Sequence, residues 1–509
     1  SDAPSLKVPS ATVVIPVYVL AAASTTVPVP VLVTLPMPPI VPVVVHNPWI
    51  VSDRVADTHN ISTMAATYVK AYTPDGVVPP TDDEAKAINI YNNQKRRLYH
   101  WADEPPNVGG HAIDDPTYTQ NVFGWSLCGR HASQGCTIAS AAGLGQRKIG
   151  LPGHWIYEVR YGDGTYHAYD TMTTMYVYNK ASPRRVASCA EMKADSTLLG
   201  NAVADGRACP GFLLCGDTVS WFQSAVNSWS DSGSGAVTTR WTGNMDLRLG
   251  QSFKRTWEAW QNEHPTPRTN ADSMAGLDPP YHHECQHDWK DYVNYPYWEP
   301  YGQIIPYIHT TKATYRRWSN GTDTLAPDFR SAGYQSMLES GSTNLATYED
   351  DQLSPDLHTA TVGTQGEAIF KVSVPYYITD ATISGDFVKV HSADVCKLYF
   401  SSNGTSWTQV YDAPVGTTHL TNLSLRANVF GLWQTWYVKV QMKATAAKTD
   451  AGVSNLVVQT IFEHNKGAMA YLDKGINNLT ITCDNPADLG SNYRIKVVYK
   501  WKEYDGTNW

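Results

Sequence analysis

The first 46 residues constrain the fold most, because they cannot form a helix. Pro16, Pro28, Pro30, Pro36, Pro38, Pro39 and Pro42 interrupt the stretch, and from Val8 to Ser52 no side chain carries a formal charge while His46 is neutral. Proline removes a backbone donor and clashes with the preceding turn, so an uncharged run that invites a transmembrane reading does not span a bilayer. Val13, Ile15, Val17, Val19, Val27, Val29, Val31, Val33, Leu35 and Met37 are odd-numbered, whereas Pro16, Pro28, Pro30, Pro36, Pro38 and Pro42 are even-numbered. Alternate N–H groups of an extended strand point to the same edge, so these prolines remove donors from one edge only. Such an arm can pair along its other edge, and its apolar face must be covered by its own chain or by a neighbouring copy. The expectation is strand exchange through the arm, giving a homo-oligomer or polymer. An edge strand on its own domain is the alternative.

A chain of 509 residues exceeds one compact core. The pattern predicts a multidomain protein: the arm over 1–46, an α+β domain over 47–240, a loop-rich aromatic β region over 241–364 and a β-sandwich over 365–509. Helices are expected from Asp82 to Trp101 and from Leu127 to Ala142, followed by strands between His154 and Tyr178. Runs such as Ala368-Ile-Phe-Lys-Val-Ser-Val and Trp436-Tyr-Val-Lys-Val-Gln-Met alternate with turn residues, the pattern of a sandwich. Charged residues are 17% and the net charge is -8, which leaves no basic stripe for phosphates, so nucleic acid is not expected as a partner. No Gly-rich phosphate loop occurs, and no cofactor is expected.

The stretch Gly124-Trp-Ser-Leu-Cys-Gly-Arg-His-Ala-Ser-Gln-Gly-Cys carries the chemistry. With Ser126 as N-cap, Cys128 falls in the first helical turn, where unpaired N–H groups and the positive end of the helix dipole favour a thiolate. Ala132, Cys136, Ala139 and Gly143 form a stripe of small residues, which lets the helix back press on a sheet. Downstream, His154-Trp-Ile-Tyr-Glu-Val-Arg-Tyr-Gly-Asp-Gly-Thr-Tyr-His-Ala-Tyr-Asp170 reads as a hairpin turning at Gly162-Asp163-Gly164. A three-residue loop pairs Tyr161 with Thr165 and Ile156 with Asp170, making His154 and Asp170 diagonal neighbours on one face, expected to be the face toward Cys128. His167 then pairs with Val159 and points the other way; a two-residue turn would reverse that assignment. His131 reads as a packing or surface histidine rather than the base.

A helix-initial Cys128-Gly-Arg, an Ala-Ala-Gly helix end, His154-Trp-Ile-Tyr-Glu-Val and an Asp sixteen residues after that His resemble the transglutaminase-like superfamily. The leader Asp115-Pro-Thr-Tyr-Thr-Gln-Asn-Val-Phe-Gly-Trp and Ala187-Ser-Cys-Ala-Glu-Met look similar to its large secreted bacterial members. The resemblance covers roughly residues 47 to 240 and implies a papain-like core with Cys128 as nucleophile, His154 as general base and acid, and Asp170 orienting the imidazole. It implies acyl transfer on protein or glycopeptide amides, and nothing in the sequence chooses between water and an amine as acceptor. Trp101 is the candidate upstream oxyanion donor.

Other features stay open at this level. His282, His283, Glu284, Cys285, His287 and Asp288 bear metal-binding side chains, but two adjacent histidines cannot face one site on regular structure. Eight cysteines give an even count that suits disulfides, until Cys128 is set aside as a nucleophile. Sequons begin at Asn60, Asn320, Asn403, Asn422 and Asn478, a number that an Asn-, Ser- and Thr-rich chain yields almost by chance. The first residue is Ser rather than Met, which fits a processed chain, and an extracellular or cell-surface location is expected. Two functions follow: a secreted thiol enzyme acting on amides, or a self-assembling filament or surface-layer subunit in which the transglutaminase-like domain is a scaffold.

Overall fold

The computed structural model describes residues 11–13, 44–73, 76–100, 113–210, 212, 219–256, 318–470, 476–486 and 495–498. Among the described residues, seven helices lie in the first half of the chain: α1 (Ile61–Tyr68), α2 (Asp83–Arg97), α3 (Pro116–Val122), α4 (Cys128–Ala141), α5 (Cys189–Ala194), α6 (Thr197–Gly200) and α7 (Val219–Asn227). Helix α2 forms because Asp82 caps it through the Ala85 N–H, with Asp83 and Glu84 in its first turn and Lys95, Arg96 and Arg97 in its last. Both ends thus complement the helix dipole. It stops short of the expected Trp101: Leu98 turns extended, and Tyr99–His100 pair in parallel with Trp125–Ser126. Trp101 lies outside the described residues.

Among these helices runs a four-stranded antiparallel sheet of β1 (Gly145–Leu151), β2 (His154–Arg160), β3 (Tyr166–Tyr169) and β4 (Ser230–Asp231), in the order β3-β2-β1-β4. Strand alternation sends its two faces into two cores. Tyr157, Val159 and Tyr169 pack with Ala132, Cys136 and Ala139 of α4, while Ile149, Ile156 and Ala168 pack with residues of α5, α6 and α7. The small-residue stripe works as expected along Ala132, Cys136 and Ala139. Gly143 instead lies past the helix end in the left-handed region at φ +80°, where the Leu144 N–H donates to Ala139 O at 2.9 Å, a glycine stop.

The rest of the described chain is dominated by one antiparallel sheet of 10 strands. They are β5 (Gln251–Arg255), β6 (Trp318–Leu325), β7 (Leu345–Thr347), β8 (Leu357–Thr359), β9 (Gly366–Lys389), β10 (Val395–Ser401), β11 (Thr408–Asp412), β12 (Gly416–Ser424), β13 (Trp433–Lys443) and β14 (Ala451–Asn465). The main path is β5-β6-β14-β9-β13-β10-β11, with β12 on β9, and β7 joined through β8 to β14. Strands β5, β6, β7 and β8 come from the stretch 241–364, read in the sequence as a separate loop-rich β region, and β6 pairs with β14 from Trp318 to Leu325. The 24-residue β9 serves both halves of the sheet. Gly366–Ser373 pair with β13; beyond a register shift that contains Pro375, the strand pairs with β14 and β12. Proline cannot donate to the ladder, so the bend falls where pairing is already lost. The sheet folds over there, and its inner face closes on itself: Trp436 Nε1 on β13 donates to Thr460 Oγ1 on β14 at 3.2 Å.

The two parts are tied by polar contacts and by rings. Asn465 Nδ2, at the end of β14, donates to Arg97 O at 2.9 Å and Gln120 O at 2.7 Å. Tyr118 of α3 meets Trp433 edge-on at 5.0 Å, and buried Trp241 donates to Pro375 O at 2.8 Å.

Near the N-terminus, Ala11–Val13 pair antiparallel with Ile495–Val497 of the same chain, and Val44–His46 with Asp246–Arg248. The remainder of the alternating arm lies outside the described residues. Among the described residues no helix is long and apolar enough to cross a membrane.

The contact between α4 and β2 rests on Gly135. A Cβ there would lie 2.5 Å from the Tyr157 ring, which is 1% exposed and stacked on Tyr169. Gly135→Ala is therefore expected to destabilise the fold by about 1–3 kcal/mol, as overpacking does. Thermal unfolding measures that loss, and slower alkylation of Cys128 in the folded variant reports the displaced helix.

Candidate active site

Cys128 is the first residue of α4, and the helix begins without a side-chain cap. Its N-cap is Leu127, whose carbonyl accepts from Arg130 and His131. Ser126 is not the expected N-cap: it lies in a short parallel pairing with His100, and its buried hydroxyl has no hydrogen-bond partner. The helix start therefore offers its first-turn N–H groups without a competing side-chain oxygen.

The hairpin holds the other two groups. Tyr161 N–H donates to Thr165 O at 3.0 Å around the three-residue loop, with Gly164 in the left-handed region at φ +83°. Tyr169 pairs with Tyr157 and His167 with Val159. One step beyond the ladder, Asp170 Oδ2 bonds His154 Nε2 at 2.7 Å, and both side chains are 2% exposed. Asp170 is fixed in turn by the N–H groups of Met172 at 2.9 Å and Thr173 at 3.3 Å on Oδ1, and by Thr173 Oγ1 at 2.5 Å on Oδ2.

The imidazole also hydrogen-bonds the Cys128 side chain. The approach differs from the expected one. His154 shares its side of β2 with Ile156, which packs toward α5–α7, and its ring lies 5.9 Å from Trp221 of α7. Helix α4 packs on the opposite face. Cys128 reaches the imidazole because it is at the helix tip, beside the end of β2, where β3 has stopped and the Trp155 N–H donates to the sulfur.

The electrostatics follow from burial and pairing. Burial pushes the Cys128 thiol up, but the His154 hydrogen bond and charge and the Trp155 N–H outweigh it, so the thiol falls below its ordinary value. Burial opposes charge on His154 as well, yet Asp170 and then Cys128 hold the imidazole above its ordinary value. The Asp170 carboxyl, also opposed by burial, is held down by His154 and Thr173. These directions favour the thiolate–imidazolium form of the pair over the neutral one. In Cys136, Cys189, Cys209, Cys396 and Cys483 burial wins and the thiol is raised. These five and Cys128 are all free.

Two tryptophans that the sequence reading did not single out flank the group. Trp155 is 39% exposed and Trp221 36%. Lys148 Nζ lies 4.8 Å from the Trp155 ring and donates to Ser133 Oγ at 2.9 Å. Trp155 was visible as the neighbour of His154, whereas nothing in the sequence links Trp221 to the site. The other histidines are occupied elsewhere: His131 Nδ1 bonds Thr171 Oγ1 at 3.1 Å, and His167 bonds Thr165 and Val186 O and stacks on Tyr161.

The cluster from His282 to Asp288 lies outside the described residues. Among those described, His391, Asp394 and Asp450 bring potential metal-ligand atoms within 4.8 Å of one another. Both carboxylates already accept backbone N–H groups, Asp394 from His391 and Thr445 and Asp450 from Ala447. Comparison with protein-family models, with curated proteins and with solved structures found no match to this chain.

Alkylation by iodoacetamide as a function of pH tests the ion pair. Cys128 is expected to react with a midpoint below the roughly 8.5 of a free thiol. Asp170→Asn removes the charge that keeps His154 protonated; losing the imidazolium outweighs relief of the weaker direct repulsion between Asp170 and the thiolate, so the midpoint moves up. An unchanged midpoint in that variant would contradict the coupling.

Proposed function

We propose that this chain is a thiol enzyme of the transglutaminase-like, papain-like kind, acting on amide bonds of a protein or glycopeptide outside the cell or at its surface, with the folded ten-stranded sheet as a β-sandwich support. The observation that carries the reading is the Asp170–His154–Cys128 relay at the uncapped start of α4, with a thiol lowered where five other cysteines are raised. In the proposed reaction the Cys128 thiolate attacks the amide carbon. The first-turn N–H groups of α4 receive the developing oxyanion, and the His154 imidazolium gives its proton to the departing nitrogen. The resulting thioester is resolved by water or by an amine that His154 deprotonates, while Asp170 keeps the ring oriented. Trp155 and Trp221 form the walls against which the acyl donor rests.

The test is intact-mass detection of an acyl-enzyme on incubation with glutamine-containing protein or glycopeptide donors, together with the amine released. Cys128→Ala is expected to abolish the adduct and lower turnover by roughly a thousandfold or more. Donor turnover that persists in Cys128→Ala would refute the mechanism.

A second reading is self-assembly through the N-terminal arm, in which a pairing made within one chain is exchanged between copies. The pairing of Ala11–Val13 with Ile495–Val497 is a short β-ladder between the two ends of one chain. The same ladder formed between copies would join them head to tail, and such exchange does not close unless its rotation does. Removing residues 1–45 is expected to convert any polymer to monomer in light scattering. Assembly that survives the deletion would contradict this reading.

A further inference from the structure

The five sequons differ sharply in what the fold does with their asparagines. Asn320 is fully buried on β6, inside the ten-stranded sheet. Asn60 is half-buried, and its Oδ1 caps α1 through the Thr63 N–H at 2.9 Å. Asn478 is half-buried with its Nδ2 committed to Asp53 Oδ2 at 2.6 Å. Asn422 is exposed on β12 at a positive φ of 51°, where its Oδ1 accepts from Ser384 Oγ at 3.3 Å. The hydroxyl of its sequon residue, Ser424, accepts from the Arg426 N–H.

Asn403 is held in another way. It is exposed in the turn between β10 and β11, and its Oδ1 accepts four hydrogen bonds: from Thr405 N at 2.9 Å, Ser406 N at 2.8 Å, Thr405 Oγ1 at 3.0 Å and Ser401 Oγ at 3.0 Å. Two of these donors are backbone N–H groups, which fixes the amide orientation, since only the oxygen can face them. The carboxamide oxygen is thus turned inward and the Nδ2 outward. Gly404, in the left-handed region at φ +75°, lets the turn lie against Tyr437, where a Cβ would come within 3.1 Å of the ring.

We propose that Asn403 is a glycan attachment site, its turn presenting Nδ2 to a transferase that uses a lipid-phosphate-linked oligosaccharide. In that step the Nδ2–C1 bond to the sugar forms as the bond from C1 to the phosphate oxygen breaks. The lipid phosphate departs, and one amide proton passes to a base of the transferase. The glycan projects from the β10–β11 turn of the sheet, so it neither depends on the Cys128 chemistry nor alters it. It does rest on the proposed location outside the cell.

Glycopeptide mapping of the full chain, purified from the cells that make it and paired with fractionation of those cells, tests the site. The peptide containing Asn403 is expected to carry a hexose-bearing mass increment, with the Asn320 and Asn478 peptides bare. Thr405→Val should reduce occupancy at Asn403 to background, and Thr405→Ser, which keeps the hydroxyl, should retain it. An Asn403 that is bare on exported protein overturns the site, and protein confined to the cytoplasm overturns both the site and the export. Occupancy unchanged in Thr405→Val would overturn the role given to the turn.

Discussion

The closeness of one helix to one strand underlies the rest of the thiol site. Gly135 lets α4 lie on the Tyr157 ring with no Cβ between them, and the buried Ala132, Cys136 and Ala139 extend that contact along the helix. Because the helix is rigid, a contact made at its middle sets where its first residue falls. Cys128 is therefore delivered to the end of β2, within reach of His154, by packing two turns away. Tyr157 in turn stacks on Tyr169, the last residue of β3 before Asp170, so the same aromatic contact positions the carboxylate. Helix tip, imidazole and carboxylate share one support.

That support carries an electrostatic cost, which the local hydrogen bonding offsets. A carboxylate and an imidazolium at 2% exposure lose most of their hydration, and an unpartnered charge there would neutralise. Asp170 keeps its charge because two backbone N–H groups and a hydroxyl face it as well as His154, and His154 is held charged by Asp170 first and then by Cys128. Cys128 as a residue is half-buried, while the two groups behind it are 2% exposed. Burial alone would have raised the thiol, as it does for Cys136, pushed up to about 12 one face away on the same helix.

The ten-stranded sheet supports this region through a few specific groups. Strand β9 turns from one half of the sheet to the other at Pro375, whose carbonyl accepts the Trp241 ring N–H, so the bend is pinned by a residue that follows the thiol-bearing part in sequence. Asn465 then satisfies two carbonyls, one at the end of α2 and one within α3, that would otherwise be buried without donors. Gly124 approaches the same Asn465 side chain so closely that a Cβ would fall 2.7 Å from it, which places the run leading into Cys128 directly against the sheet.

The sequence alone determined the features that depend on neighbours along the chain. The small-residue spacing defines the buried face of α4. Gly162-Asp163-Gly164 sets a register in which Tyr161 meets Thr165 and His167 is turned away from the face of His154 and Asp170, because side-chain direction alternates strictly once a turn length is chosen. Local pattern was less sure at element ends: Ser126 has the chemistry of a cap, yet parallel pairing with His100 takes its backbone and Leu127 becomes the N-cap. Only the tertiary structure decided what distant segments bring. Trp221 arrives at His154 from α7, β6 pairs with β14 far along the chain, and the exposed Asn403 has its amide oxygen held by two backbone N–H groups. These outcomes depend on which faces find each other across long connections. Periodicity and turn chemistry, which act over a few residues, do not encode that choice.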